Sequence, residues 1–77
     1  MLFYFNVRSD RSYDVDEEGI ELPSLDAARR EAIKSAREMV AELILHNQRI
    51  DGMRFEITDG TGALLVTVPF KDVIILD

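Results

Sequence analysis

The chain contains no cysteine. That excludes disulfides, thiolate nucleophiles and zinc sites built on sulfur, and a domain this small without disulfides fits a reducing compartment. Histidine occurs once, as His46, so no hydroxyl nucleophile with a histidine base and a third orienting group is visible. No apolar run approaches the ~18 residues of a membrane-spanning helix. Met1 to Phe5 alternates like a strand and has no basic flank, so it does not read as a secretion signal. Basic residues are also scarce: 9 lysines and arginines stand against 15 aspartates and glutamates, for a net charge of −6. The field of the whole molecule repels phosphate backbones and anionic lipid. These absences point to the cytoplasm, to no membrane association and to no cofactor. Any contact with nucleic acid is left to a local basic stripe.

What is present reads as a single α+β domain over residues 1–77. The hydrophobic fraction of 47% is ordinary for a globular chain. Ser24 to Asn47 has the pattern of one long amphipathic helix. Leu25, Ala28, Ala32, Ala36, Met39, Val40 and Leu43 fall on one stripe at three-and-four spacing. Ser24 suits the N-cap, Asp26 suits the positive end of the helix dipole, and no glycine or proline interrupts the run. Asp51-Gly52 is a stop signal beyond it.

The remaining segments alternate with period two. Phe3, Phe5 and Val7 mark a strand over 2–8, Phe55 and Ile57 a second over 54–58, and Leu64, Val66 and Val68 a third. Ile20 and Leu22 allow a short edge strand that Pro23 stops. Asp59-Gly60-Thr61-Gly62 reads as a hairpin turn, with both glycines expected to supply positive φ. The order is strand, strand, helix, strand, strand, which gives a small antiparallel sheet of three to four strands with the helix packed on one face. A chain this short buries only roughly 60–65% of its unfolded surface, so a second copy would add useful buried area.

Three features invite a chemical reading. Asp14, Asp16, Glu18 and Gly19 match positions one, three, five and six of a calcium-binding EF-hand loop. Position twelve is then Leu25 where a bidentate glutamate is required, Pro23 interrupts the loop, and no helix precedes it. The plainer reading is a solvated acidic segment that discourages edge pairing. Arg30, Lys34 and Arg37 gather on one flank of the helix, with Glu31, Glu38 and Glu42 on the other and Arg29 nearer the apolar boundary. A basic stripe can grip phosphate, but the helix carries four basic and four acidic residues and no interleaved aromatics, so a salt-laced solvent face is the commoner meaning. His46 sits in the last helical turn, where a capping or solvated role is expected.

Phe3, Phe5, Phe55 and Phe70 are assigned to the core, and Tyr4 and Tyr13 to the surface or its margin. Leu2, Tyr4 and Leu65 are expected on the sheet face away from the helix, and Val73, Ile74, Ile75 and Leu76 could extend that apolar patch. A patch of this kind on a small domain marks a partner surface.

Several segments carry a family resemblance. They are Tyr4-Phe5-Asn6-Val7-Arg8, Asp16-Glu17-Glu18-Gly19-Ile20-Glu21-Leu22-Pro23, Ala27-Ala28-Arg29-Arg30-Glu31-Ala32, Asp51 to Asp59, and Val68-Pro69-Phe70. Together they resemble an uncharacterised family of small bacterial proteins common in rhizobia and other alphaproteobacteria. The resemblance implies a soluble cytoplasmic protein with no assigned activity, cofactor or catalytic residue. A weaker likeness, over about half the chain, is to HicB-type antitoxins, in which a proline after short strands leads into a helix with a repeat like Ala28-Arg29-Arg30-Glu31-Ala32. That family's DNA-binding domain has no counterpart here, and the likeness would make the acidic surface a mask for a basic toxin. The expectation is therefore a non-catalytic interaction module, binding another protein or itself. The alternative is a nucleic-acid-associated or antitoxin-like regulator using Arg30, Lys34 and Arg37 or the acidic surface.

Overall fold

The computed structural model describes residues 1–74. Its elements in chain order are β1 (Leu2–Arg8), β2 (Tyr13–Asp14), β3 (Ile20–Glu21), α1 (Leu25–Leu45), β4 (Arg54–Thr58), β5 (Leu64–Pro69) and a 3-10 turn (Phe70–Val73). The sheet is antiparallel in the order β2-β1-β4-β5, with β3 also paired to β1. It has five strands, one more than the hydropathy pattern gave, because the acidic segment pairs with β1 twice.

Helix α1 forms where the stripe places it. Ser24 accepts a hydrogen bond from the Ala27 N–H at 3.1 Å, closing the N-terminus. The C-terminus closes before Gly52. Asn47 turns left-handed at φ 58°, and the Gln48 N–H reaches back to the Leu43 carbonyl at 2.8 Å. That six-to-one bond defines a Schellman stop, with asparagine in glycine's usual place.

The buried row of the helix is Ala28, Ala32, Ala36 and Val40. Three alanines in a row let the helix axis settle close to the sheet. The large side chains come from the other layer: Phe3, Phe55, Ile57 and Phe70 are all buried. Phe55 packs edge-on to Phe5 with ring centroids 6.0 Å apart, and lies 5.3 Å from Phe70. Leu25, expected on the buried stripe, is exposed at the first position of the helix.

Three further expectations are corrected. Leu65 packs against the core instead of lining the outer face. The pairing shifts between Ile57 (opposite Val66) and Thr58 (opposite Leu64), so Leu65 is an extra residue in a β-bulge. One inserted residue reverses the alternation beyond it, and Leu64 is exposed in Leu65's stead. Val73 is buried too, because the 3-10 turn folds it under the helix, where its carbonyl accepts a hydrogen bond from Arg37 Nε at 3.2 Å. In the hairpin turn only Gly62 has positive φ. The Asp59 carboxylate does the remaining work, accepting from the Thr61 N–H (2.8 Å), the Thr61 hydroxyl (2.6 Å) and the Ala63 N–H (3.2 Å).

Candidate interaction surfaces

The outer face of the sheet is polar at one end and apolar at the other. Glu56 Oε2 accepts from Arg8 Nε at 2.8 Å and from Arg54 Nε at 3.2 Å, and the Arg8 guanidinium lies 4.0 Å over the Tyr13 ring. Register explains this grouping, since Asn6 stands opposite Glu56 and Arg8 opposite both Tyr13 and Arg54. Leu2 and Tyr4 remain on this face, with Leu2 exposed and Tyr4 half-buried, at the end away from the arginines. Their apolar neighbour across the sheet is Leu64, which follows Thr58 and Tyr4 in one cross-strand row.

The β2–β3 edge of the sheet is closed by side chains. Between these two short strands, residues 15–19 loop away from β1 and would leave the Phe5 N–H unpaired. Asp16 fills that place. One carboxylate oxygen accepts from the Phe5 N–H at 3.0 Å, and the other from the Glu18 and Gly19 N–H groups at 3.1 and 3.2 Å. Burial raises the Asp16 pKa, but these three backbone donors outweigh it and hold the carboxyl below its ordinary value of 3.8. Asn6, only 3% exposed, fastens the loop to the sheet. Its Oδ1 accepts from the Asp16 N–H at 2.9 Å, and its Nδ2 donates to the Glu56 carbonyl at 3.0 Å and to the Thr58 hydroxyl at 3.2 Å. No residue pattern announced Asn6. Its role needs three segments that only the fold brings together. Asp16, which the calcium reading would make a ligand, has both oxygens occupied by backbone donors. Among the described residues no group of three or more His, Asp or Glu side chains is arranged to hold a metal ion.

The β5 edge pairs with no strand among the described residues. The Phe70 N–H donates to the Met53 carbonyl at 2.9 Å, so Val68 and Val66 direct their backbone groups to β4 and Thr67 and Pro69 direct theirs outward. Pro69 has no N–H to leave unpaired there. Beside this edge runs a groove lined by Arg29, Ile33, Arg37, Thr67, Pro69 and Asp72. Arg30 and Lys34 continue the basic flank along the exposed side of the helix. The three residues of the predicted stripe thus share one flank, but they are not equivalent. Arg37 is bound to the Val73 carbonyl, Arg30 lies 3.9 Å from Asp26, and Arg29, placed by sequence at the apolar boundary, joins them at the groove.

A third surface lies at the C-terminal end of the helix. Ile44 is 59% exposed and Ile74 37%. With Val40, Ala41, Val73 and Arg37 they line a shallow, mainly apolar groove. The neighbouring Leu45 is 77% exposed. Sequence reasoning singled out Ile74 and passed over Ile44 and Leu45, although two apolar residues off the buried stripe were a readable signal. Ile75 and Leu76 lie outside the described residues. His46, exposed at the same end, caps the helix and sits 2.9 Å from Glu42 Oε1 through its Nε2. No helix among the described residues is long and apolar enough to cross a membrane.

No curated protein and no solved structure matches the chain. A family described as "Domain of unknown function (DUF6894)" matches residues 2–71. That span takes in every strand, the helix and both hairpins, and the chain belongs to this family.

Proposed function

We propose that this domain is a non-catalytic protein-interaction module and that its first partner is a second copy of itself, docked at the C-terminal end of the helix. The observation that carries the reading is the pair Ile44 and Ile74, exposed side by side on an apolar groove. An isologous contact there sets the same apolar side chains against each other across a two-fold axis, with Arg37 the one charged residue lining the groove among the described residues. The domain is small, so added buried area has a large relative effect on its stability. A non-catalytic role is supported by the surface relief: the two hollows along the exposed side of the helix are open, and the sole histidine is a helix cap.

Sedimentation equilibrium from micromolar to millimolar protein tests the reading. The weight-average mass is expected to rise toward twice the monomer mass, and Ile44→Asp to return it to the monomer at every concentration. A wild-type chain that stays monomeric at millimolar concentration overturns self-association.

A further inference from the structure

The two edges of the sheet are built in opposite ways. The β2–β3 edge is broken into two-residue strands, plugged by Asp16 and surrounded by Asp14, Glu17, Glu18 and Glu21. These are the devices that keep an edge from recruiting another strand. The β5 edge has none of the charged ones. Leu64 to Pro69 contains no ionisable residue, and Thr67 turns both of its backbone groups outward.

Charge separates along the same axis. Arg29, Arg30, Lys34 and Arg37 lie on the β5 side of a molecule whose net charge is −6, where they outnumber Asp26, which pairs with Arg30, and Glu38, which lines the same hollow as Arg30, Lys34 and Arg37 and not the opposite flank expected from sequence; Glu31 and Glu42 fall on that opposite flank by helical spacing. Among the described residues lining the groove, Arg29 and Arg37 outnumber the single carboxylate, Asp72. A free edge flanked by cations selects what can add to it. Two copies paired through β5 around a two-fold axis would bring both basic flanks together, which works against self-pairing at this edge. A segment with carboxylates on alternate residues meets no such conflict. Its backbone continues the sheet, and its helix-side row of side chains faces Arg29 and Arg37.

We propose that the β5 edge is a binding site for an extended acidic segment of another protein, taken up as an additional antiparallel strand opposite Thr67. Backbone pairing supplies the orientation, and the arginines on the helix flank supply the preference for glutamate or aspartate at every second position. The inference rests on the interaction-module reading; the β5 groove shares Arg37 and Val73 with the Ile44–Ile74 groove but contains neither isoleucine.

The probe is a fluorescein-labelled ten-residue peptide of alternating valine and glutamate, titrated at low salt against the full chain and followed by polarisation and by amide chemical shifts. Saturable binding that weakens with salt is expected, with the largest shift at the Thr67 amide. The valine–lysine peptide should not bind, and Arg29→Glu combined with Lys34→Glu should weaken affinity at least roughly tenfold. The protein itself is left untouched in a second arm. A valine–glutamate peptide N-methylated at alternate backbone nitrogens, on the edge that faces β5, should fail to bind, because it keeps the charge and loses the strand pairing. Equal binding of the N-methylated peptide, or shifts confined to the helix, overturns strand addition. Tighter binding of a single-stranded oligonucleotide than of the peptide overturns the acidic-protein assignment in favour of nucleic acid. The monomeric Ile44→Asp chain should bind the peptide as the wild type does, so a failure of self-association and a failure of strand addition are read separately.

Discussion

Gly19 is where the sealed edge is most sensitive to a single methyl group. It stands at φ 74°, a conformation that costs an L-residue about 1–2 kcal/mol. A Cβ there would also lie 3.0 Å from Leu2 Cδ1, 3.1 Å from Tyr4 Cε1 and 3.1 Å from the Phe3 carbonyl oxygen. The two side chains can rotate aside. The carbonyl cannot, because Phe3 is held in β1 opposite Ile20. Forcing the loop outward adds about 1 kcal/mol, at the low end for overpacking. Gly19→Ala should therefore cost about 2–3 kcal/mol, a large share of the roughly 4–12 kcal/mol available to a chain of this length. Gly62 supplies the control. Its φ is 88°, but nothing lies within 4 Å of its would-be Cβ, so Gly62→Ala should show the backbone term alone, about 1–2 kcal/mol. Urea unfolding followed by far-ultraviolet circular dichroism reads both. At about 1 kcal/mol per molar, the midpoint should fall by about 2–3 M for Gly19→Ala and by about 1 M less for Gly62→Ala. Equal shifts for the two variants would refute the argument that the 15–19 loop is pressed onto β1.

Two further perturbations probe the edge and the core. The folded Asp16 pKa lies below its unfolded value, so its contribution is complete above about pH 4 and is lost as pH falls through the folded pKa. Asp16→Asn replaces one acceptor oxygen with a donor. It should cost about 1 kcal/mol at pH 7, allowing for the exposure of the group, and the gap from wild type should close toward pH 2 in parallel urea titrations; a gap independent of pH counts against the carboxylate's role. Ala32 is fully buried between helix and sheet, and Ala32→Leu should cost about 1–3 kcal/mol by levering the two layers apart. A thermal melt checks it, with each kcal/mol lowering Tm by about 4–8 °C, and an unchanged Tm would mean that the alanine row does not set the spacing.

Most of the architecture was legible because it depends on short-range periodicity. The alanine-rich stripe fixed the helix to within two residues of its observed ends. The alternation of Phe3, Phe5 and Val7, and of Phe55 and Ile57, assigned those side chains to the layer under it. The interaction surfaces were legible only in part. Arg30, Lys34 and Arg37 share a flank as helical geometry requires, yet nothing in their spacing said that Arg37 would be tied to the Val73 carbonyl or that Arg29 would join them beside β5. Leu65 went to the wrong face because a bulge is a property of a strand pair and cannot be read from one strand.

The sequence by itself determined the helix, its apolar side, the main strands and the imbalance of charge, since each follows from which residues lie three, four or two positions apart. Tertiary structure alone decided which edge of the sheet is closed and which is unpaired among the described residues. Asp16 can plug an edge only when Phe5, Asn6 and the 15–19 loop are neighbours, and Thr67 is an outward-facing residue only because β4, not β1, lies on its other side. Both facts are hydrogen-bond partnerships between distant segments, and local residue preference carries no information about them.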